Sequence, residues 1–257
     1  MSAVTSELRD DGIRVITMNH PPVNALTVQG WFDLAAALDE ASADPATKVV
    51  VLRAEGKGFN AGVDIKEMQN TTGFDALIGA NKGCFAAFKA VYECAVPVIA
   101  AVHGFCVGGG VGLAGNADIV VASDDAYFGV PEVKQGALGA ATHMARLVPQ
   151  QMMRALYFTA RTIPATELHR FGTVYRIAPR EELLDVALEV AADIADKDTR
   201  VIRAAKEALN GIEPVDVNKS YRFEQGFTFE LNLAGVSDEL RDSFAGTDKA
   251  GTRAGSR

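Results

Sequence analysis

The sequence predicts an α/β fold in which helices cover a mostly parallel sheet. Short apolar runs of strand length alternate with longer segments of helical periodicity in the first part of the chain, and a glycine-rich turn follows two of the runs. The chain of 257 residues is 48% hydrophobic, which is enough for a sizeable core. We therefore expect one large domain, with or without an appendage.

The first elements follow from apolar patterning and from stop signals. Residues 13–18 are a predicted strand that ends before Pro21 and Pro22. Thr27 is the predicted N-cap of a helix over residues 28–42. The core face of this helix carries Trp31, Leu34, Ala35, Leu38 and Ala41. Further strands are predicted over residues 48–54, 97–102 and 118–122, and a further helix over residues 74–93.

Three consecutive glycines, Gly108 to Gly110, follow the strand over residues 97–102 and open a small apolar helix. Backbone N–H groups at such a turn are unpaired, and no Cβ prevents close approach, so the turn suits a phosphate or a developing oxyanion. The alternative is a packing corner that needs glycine only for space. A second glycine-containing stretch, residues 56–68, follows the strand over residues 48–54 in the same way.

Helical patterns dominate after Pro149. They cover residues 150–158, 164–171, 180–196, 199–209, 217–234 and 237–244. The last residues are small and polar, which is typical of disorder. We therefore divide the chain into an α/β core over residues 1–198, a helical oligomerisation region over residues 199–245 and a disordered tail over residues 246–257.

Charge and cysteine content narrow the class of protein. The net charge of −8 disfavours nucleic acid and anionic membranes as partners. Cys84, Cys94 and Cys106 lack metal-ligand spacing and are predicted to be reduced core thiols, which are typical of a cytoplasmic protein. No apolar run approaches the roughly 20 residues that a membrane span needs. No dinucleotide fingerprint follows the first strand, so NAD is not expected.

Three sequence blocks together resemble the crotonase family, the enoyl-CoA hydratases and isomerases. They are A-G-x-D-I-K-E-M at residues 61–68, V-x-G-x-x-x-G-G-G at residues 102–110, and A-x-F-G-x-P-E at residues 126–132. The resemblance extends from Pro22 to about Phe244. It implies a core of the crotonase ββα spiral type, with C-terminal helices that cover the active site and build a trimer, commonly within a hexamer.

The resemblance also implies an acyl-CoA site. The backbone N–H groups of Val63 and Gly109 would hold the thioester oxygen as it gains charge, and each such donor is typically worth on the order of 3 kcal/mol. Groups around Ala61, Asp64 and Ile65 would contact the adenine, and Lys66 would lie near the phosphates. For Lys66 the alternative is a solvated lysine paired with Glu67 or Asp64. CoA is part of the substrate, so neither a separate cofactor nor a metal is expected.

The acid/base residues depart from those of the hydratases, which use two carboxylates. The first would lie at Gly112, and the aspartate of other branches would lie near Ala140 and Ala141, so Glu132 alone remains. Apolar walls would raise its pKa and suit it to proton transfer. The alternative for Glu132 is a surface glutamate after a proline turn.

The other polar candidates receive smaller roles. His143 begins a helix, where a surface position is more common than one in the pocket. His20, His103 and His169 are expected to be structural, and Asp118 to fix a turn.

Four further segments, residues 83–88, 92–97, 197–209 and 224–235, resemble an actinobacterial branch that opens a ring of a bicyclic CoA thioester from steroid degradation. This ranks hydrolytic carbon–carbon cleavage first, double-bond isomerisation second and hydration third. The rival class is a catalytically silent binding protein of the same fold, and Gly112 in place of a carboxylate keeps that alternative open.

Overall fold

The structure is a computed structural model that describes residues 3–71 and 73–240. Its strands are β1 (Val4–Leu8), β2 (Ile13–Met18), β3 (Val49–Ala54), β4 (Val98–Val102), β5 (Phe105–Val107), β6 (Ile119–Ser123), β7 (Tyr127–Gly129), β8 (Thr162–Pro164) and β9 (Arg176–Ala178). Its α-helices are α1 (Val28–Ala43), α2 (Ile65–Asn70), α3 (Asp75–Tyr92), α4 (Gly109–Asn116), α5 (Ala141–Leu147), α6 (Gln150–Thr159), α7 (Ala165–Phe171), α8 (Leu183–Ala195), α9 (Thr199–Ile212) and α10 (Val217–Leu233). Short 3-10 helices span Pro131–Gln135 and Arg180–Glu182.

Two sheets organise these elements. The larger sheet has the strand order β1-β2-β3-β4-β6-β9, in which only β1 runs antiparallel to its neighbour. A smaller sheet has the order β5-β7-β8, with β5 parallel and β8 antiparallel to β7. The predicted α/β class with a mostly parallel large sheet is confirmed. The region after Pro149 was predicted to be helical. It is mostly helical, but it also contains strands β8 and β9.

The central strands β3 and β4 of the large sheet are buried on both faces, to which their successive side chains point in turn. Val50 and Leu52 of β3 face a cluster shared with α1 and α3, which includes Trp31 and Phe88. Val49 and Val51 of the same strand face a second cluster built with α8. The helices therefore cover the sheet on two sides.

The predicted start and core face of α1 are confirmed. Thr27 Oγ1 accepts a hydrogen bond from Gly30 N at 3.1 Å, and the five predicted core residues are buried. The predicted helix over residues 217–234 is α10. Of the helix predicted over residues 237–244, residues 237–240 are helical. Residues 241–257, with the predicted tail, lie outside the described residues.

The sequence suggested only that Asp118 fixes a turn. In the structure, its carboxylate also joins two elements of the fold. Its Oδ2 accepts from Val98 N at 2.8 Å, and its Oδ1 accepts from Lys206 Nζ at 2.6 Å. Lys206 is buried, so the Asp118 carboxylate compensates a charge that would otherwise have no solvation. Asp118 thereby joins α9 to β4.

The three cysteines are buried and unpaired, as predicted. Burial raises the pKa of each thiol. Within the described part of the chain, no helix has the length and apolar character needed to cross a membrane. The same residues contain no group of three or more side chains suited to a metal ion.

Candidate active site

The two glycine-containing stretches meet in space. Asn60 forms an isolated parallel bridge with Cys106 of β5, and Val107 N donates to Asn60 O at 3.0 Å. A Cβ on Gly62 would lie 3.3 Å from Gly109 N. Residues that are about fifty positions apart in sequence therefore form one rim, because β3 and β4 are adjacent parallel strands whose carboxyl ends share an edge.

The N–H groups of Val63 and Gly109 are both free of partners within the described chain. Leu26 N donates to Gly62 O, and Asp64 N donates to Leu26 O, so the Val63 N–H points away from Leu26. Gly109 is the first residue of α4, where an N–H has no partner inside the helix. Both residues line a cavity of about 150 Å³. Their action as donors to a thioester oxygen remains a prediction.

Asn60 fixes this rim, although the sequence analysis gave it no role. Its Oδ1 accepts from Gly62 N at 2.8 Å, and its Nδ2 donates to Asn24 O at 2.6 Å. The side chain is fully buried. A buried asparagine with both ends satisfied holds a loop in one conformation. The only signal in the sequence was an asparagine directly before the Ala-Gly pair.

Glycine is required at position 108 for two reasons. Its φ of 57° and ψ of −118° lie in a region that L side chains rarely adopt. A Cβ there would also lie 3.0 Å from Glu132 Oε1. The glycine turn is therefore the surface against which the Glu132 carboxyl rests.

Glu132 lies at the start of the 3-10 helix Pro131–Gln135 and lines the same cavity. Its Oε2 atom is buried and has no hydrogen-bond partner in the described structure. Burial raises the pKa of this carboxyl to about 8, and the nearby Glu224 contributes in the same direction. Glu132 thus lies in the cavity rather than on an open surface. A pKa in this range suits a group that acts as a general acid or base near neutral pH.

The remaining predicted contacts with CoA divide into two groups. Ala61 and Ile65 line the cavity. Asp64 caps α2, with its carboxylate accepting from Lys66 N at 2.8 Å and Glu67 N at 3.4 Å. The Lys66 side chain is exposed, and no ion pair in residues 3–71 and 73–240 involves it. Glu67 instead accepts from Val28 N at 2.7 Å. Contact of these four residues with CoA remains a prediction.

An aromatic cluster occupies the place where hydratases would carry their first carboxylate. A Cβ on Gly112 would overlap the Phe88 ring. The His143 ring packs edge-on against Phe88 and Tyr221, with centroids 4.9 Å from each. His143 is buried, so its predicted surface position is wrong, and burial lowers its pKa to about 3. It is not among the residues that line the cavity.

Helix α10 closes one side of the cavity through Tyr221 and Thr228. It also carries Glu224, a buried carboxylate that the sequence analysis did not identify. Nothing in the local sequence distinguishes it from a glutamate on the surface of a helix, because the buried side of α10 is itself largely polar. The other walls are mostly apolar and include Met68, Leu77, Ala80, Pro131, Ala137 and Leu138.

The site can therefore bind a carbonyl between two backbone N–H groups and transfer a proton at one carboxyl, in surroundings that suit an apolar acyl group. The family described as "Enoyl-CoA hydratase/isomerase" matches residues 9–229. A solved enoyl-CoA hydratase/isomerase from Xanthobacter autotrophicus Py2 is similar, with a TM-score of 0.82 and 28% identity over 90% of this chain and 87% of that one.

Two relatives are more similar in sequence. The "(7aS)-7a-methyl-1,5-dioxo-2,3,5,6,7,7a-hexahydro-1H-indene-carboxyl-CoA hydrolase" of Rhodococcus jostii is 64% identical over 99% of this chain and 98% of that protein. The protein of the same name in Mycobacterium tuberculosis is 66% identical over 94% of this chain and 98% of its own. With the family match, these similarities establish that the chain belongs to the enoyl-CoA hydratase/isomerase family, the crotonases.

Proposed function

We propose that this protein hydrolyses a carbon–carbon bond of a bicyclic keto-acyl-CoA thioester and so opens one ring of a steroid-derived substrate. The observation that carries the proposal is that Glu132 is the one carboxyl among the described residues that line the cavity, and that it lies beside the turn that bears the free Gly109 N–H. Relatives at 64% and 66% identity are named as hydrolases of a dioxo-hexahydroindene-carboxyl-CoA. Such a substrate combines a ring ketone with a thioester that accepts the departing electron pair.

The proposed reaction uses one water molecule. The Glu132 carboxylate takes a proton from water while the water oxygen bonds to the ring ketone carbon. The bond from that carbon to the carbon next to the thioester then breaks. Its electron pair moves into the thioester, and the resulting enolate oxygen is held by the N–H groups of Val63 and Gly109. Glu132 returns the proton to the carbon, leaving an opened molecule with a carboxylic acid and an intact thioester.

Double-bond isomerisation is the second candidate, because one carboxyl can remove and return a proton. Hydration of a simple enoyl-CoA ranks third, because the Phe88 ring fills the space beside Gly112 where a second carboxylate would lie. The non-enzyme alternative is a binding protein that retains the thioester site without turnover.

Mass spectrometry of a panel of CoA thioesters in H₂¹⁸O distinguishes these functions. Ring opening adds one water, places ¹⁸O in a new carboxylate that can be esterified, and releases no free thiol. Isomerisation adds no mass, and hydration of an enoyl-CoA places the label in an alcohol. Turnover of simple enoyl-CoAs with no reaction of bicyclic keto-acyl-CoAs would overturn the proposal. Binding without any turnover would favour the silent protein.

We also propose that the protein forms a trimer, alone or within a hexamer, through the exposed apolar side of α10. Phe223, Phe227 and Leu233 are 73%, 41% and 72% exposed. Association of subunits would remove these side chains from water.

The three unpaired thiols support a reducing compartment, and we propose the cytoplasm.

A further inference from the structure

Glu224 is a buried carboxylate to which the proposed reaction gives no task. It lies on α10 and is 9% exposed. Its Oε1 accepts from Tyr157 Oη at 2.9 Å and from Ala141 N at 3.1 Å, and its Oε2 accepts from Ala141 N at 3.2 Å. Among the described residues it has no ion-pair partner. Burying a charged carboxylate costs free energy, so its presence here suggests a specific role.

The direction of these hydrogen bonds favours one protonation state of Glu224. Gly139 N donates to Tyr157 Oη at 3.1 Å, which leaves the Tyr157 proton free to point at Glu224. Backbone N–H groups of α5 can only donate. Every partner therefore donates to Glu224 and favours its carboxylate form, against the burial that raises its pKa.

Glu132 has fewer donors, because its buried Oε2 receives no hydrogen bond and only its own backbone N–H acts to lower its pKa. Of two interacting carboxyls, the one with more donors ionises first and the other keeps its proton. The other titratable groups whose electrostatics involve Glu132 are Cys84 on α3, Tyr157 on α6 and Tyr221 on α10. Burial raises the pKa of all three, so they stay neutral, and Glu224 is the one charged neighbour found near Glu132 in the described residues.

The same contacts hold the wall of the cavity beside Glu132. Thr228 Oγ1 accepts from Leu138 N at 3.0 Å and donates to Leu138 O at 2.7 Å. Together with Tyr157 and Glu224, it fixes the backbone of residues 138–141. Gly139 faces Glu132, since a Cβ there would lie 3.7 Å from Glu132 Oε1.

We propose that Glu224 is a positioning residue for Glu132: through Tyr157 and the backbone of Gly139 and Ala141 it fixes the wall against which the Glu132 carboxyl lies. Its negative charge also opposes the loss of the Glu132 proton. This inference rests on the proposed function, in which Glu132 moves the proton. Helix α10 would then both close the cavity and position the Glu132 carboxyl.

Variants of Glu224 separate its charge from its shape. Glu224→Gln keeps the size and an acceptor for Tyr157 and Ala141 but removes the charge. The pKa of Glu132 should then fall by on the order of one unit, as expected for losing a nearby charge in a partly buried site. Glu224→Ala removes the hydrogen bonds as well, and kcat should fall on the order of tenfold below that of Glu224→Gln. Glu230→Gln, an exposed change on the same helix, is the matched control and should change neither quantity.

The direct measurement is a ¹³C NMR titration of the side-chain carboxyls in protein labelled at glutamate, with Glu132→Gln assigning the Glu132 signal. It uses no substrate, so a movement of the Glu132 midpoint supports the inference even if the bicyclic thioester is not turned over, in which case only the proposed function fails. A kcat/KM pH profile on the same variants adds the kinetic result.

An unchanged Glu132 midpoint in Glu224→Gln, in a protein with wild-type circular dichroism, would overturn the electrostatic role. Equal kcat values for Glu224→Ala and Glu224→Gln would overturn the positioning role. If Glu224→Ala does not fold, Tyr157→Phe replaces it, because this change removes only the hydroxyl that links Gly139 to Glu224. An unchanged kcat in Tyr157→Phe would then contradict the inference.

Discussion

At the scale of single residues, the ionisation of Glu132 decides, in the proposed reaction, when the site can react. Burial raises its pKa from an ordinary 4.5 to about 8. In the proposed reaction the carboxylate form starts the chemistry, so only a minority of free enzyme is ready at neutral pH. A higher pKa would make the Glu132 carboxylate a stronger base, but it would leave less of the carboxylate form available at neutral pH.

We therefore expect kcat/KM on a bicyclic keto-acyl-CoA to rise with pH and to level off above a midpoint near pH 8. The sign follows from the raised pKa, since the active carboxylate accumulates only as the pH passes that value. Initial rates between about pH 6 and pH 9.5, with circular dichroism at each pH, give the profile. A profile that is flat across this range would contradict a titrating base with the raised pKa of Glu132.

The packing of Phe88 leaves no room for a side chain at position 112. A carboxylate like that of the hydratases therefore cannot be introduced there without moving Phe88. Because a Cβ at this position would overlap Phe88, we expect Gly112→Ala to lower the free energy of unfolding by about 1–3 kcal/mol, and Gly112→Glu by more. Gly211→Ala is the matched control, since a Cβ at Gly211 in α9 meets open space. Urea denaturation of both alanine variants measures the difference. Equal stability of the two would mean that Phe88 moves aside freely.

At the scale of secondary-structure elements, a buried ion pair attaches α9 to the sheet. The Lys206 side chain is 3% exposed and pairs with Asp118, which is 23% exposed. We expect Asp118→Ala to cost about 3 kcal/mol in unfolding free energy, because it leaves a buried ammonium without its carboxylate. Asp196→Ala, which breaks an exposed pair with Lys197, should change stability by less than about 1 kcal/mol. Similar losses in both variants would mean that α9 moves to hydrate Lys206.

The sequence predicted the long elements well, because their buried faces impose a clear period. Helix α1 shows this, with every predicted core residue buried. Strand β1 was missed because four of its five residues are exposed at the sheet edge. Strands β5, β7, β8 and β9 have three residues each, which is too short for alternation to be recognised.

The loops of the candidate site were predicted from the three sequence blocks that resemble the crotonase family. Glycine turns alone, or the Pro131-Glu132 pair alone, would not have assigned roles to Val63, Gly109 and Glu132. Residues that act through tertiary contacts left no such signal. Glu224 resembles an ordinary helix-surface glutamate until α10 packs on α5, and His143 resembles a first-turn surface histidine until Phe88 and Tyr221 enclose it.

At the scale of the whole molecule, α10 lies between the cavity and the surface proposed for subunit association. Its inner side closes the cavity, and its outer side exposes Phe223, Phe227 and Leu233. We expect light scattering at micromolar concentration to give the mass of a trimer or of a hexamer, because association buries this apolar patch. Phe223→Asp should shift the mass toward that of the monomer. A wild-type monomer at that concentration would contradict the proposed assembly.

The central claim is that Glu132 moves the proton in a ring-opening hydrolysis, and Glu132→Gln tests it most directly. Turnover of a bicyclic keto-acyl-CoA and binding of the same thioester by calorimetry are measured for both proteins. Glutamine keeps the size of the side chain, so binding should be nearly unchanged. We predict that kcat falls by roughly 10²–10⁴-fold, the usual contribution of general acid–base catalysis. Near wild-type turnover in Glu132→Gln would contradict the claim.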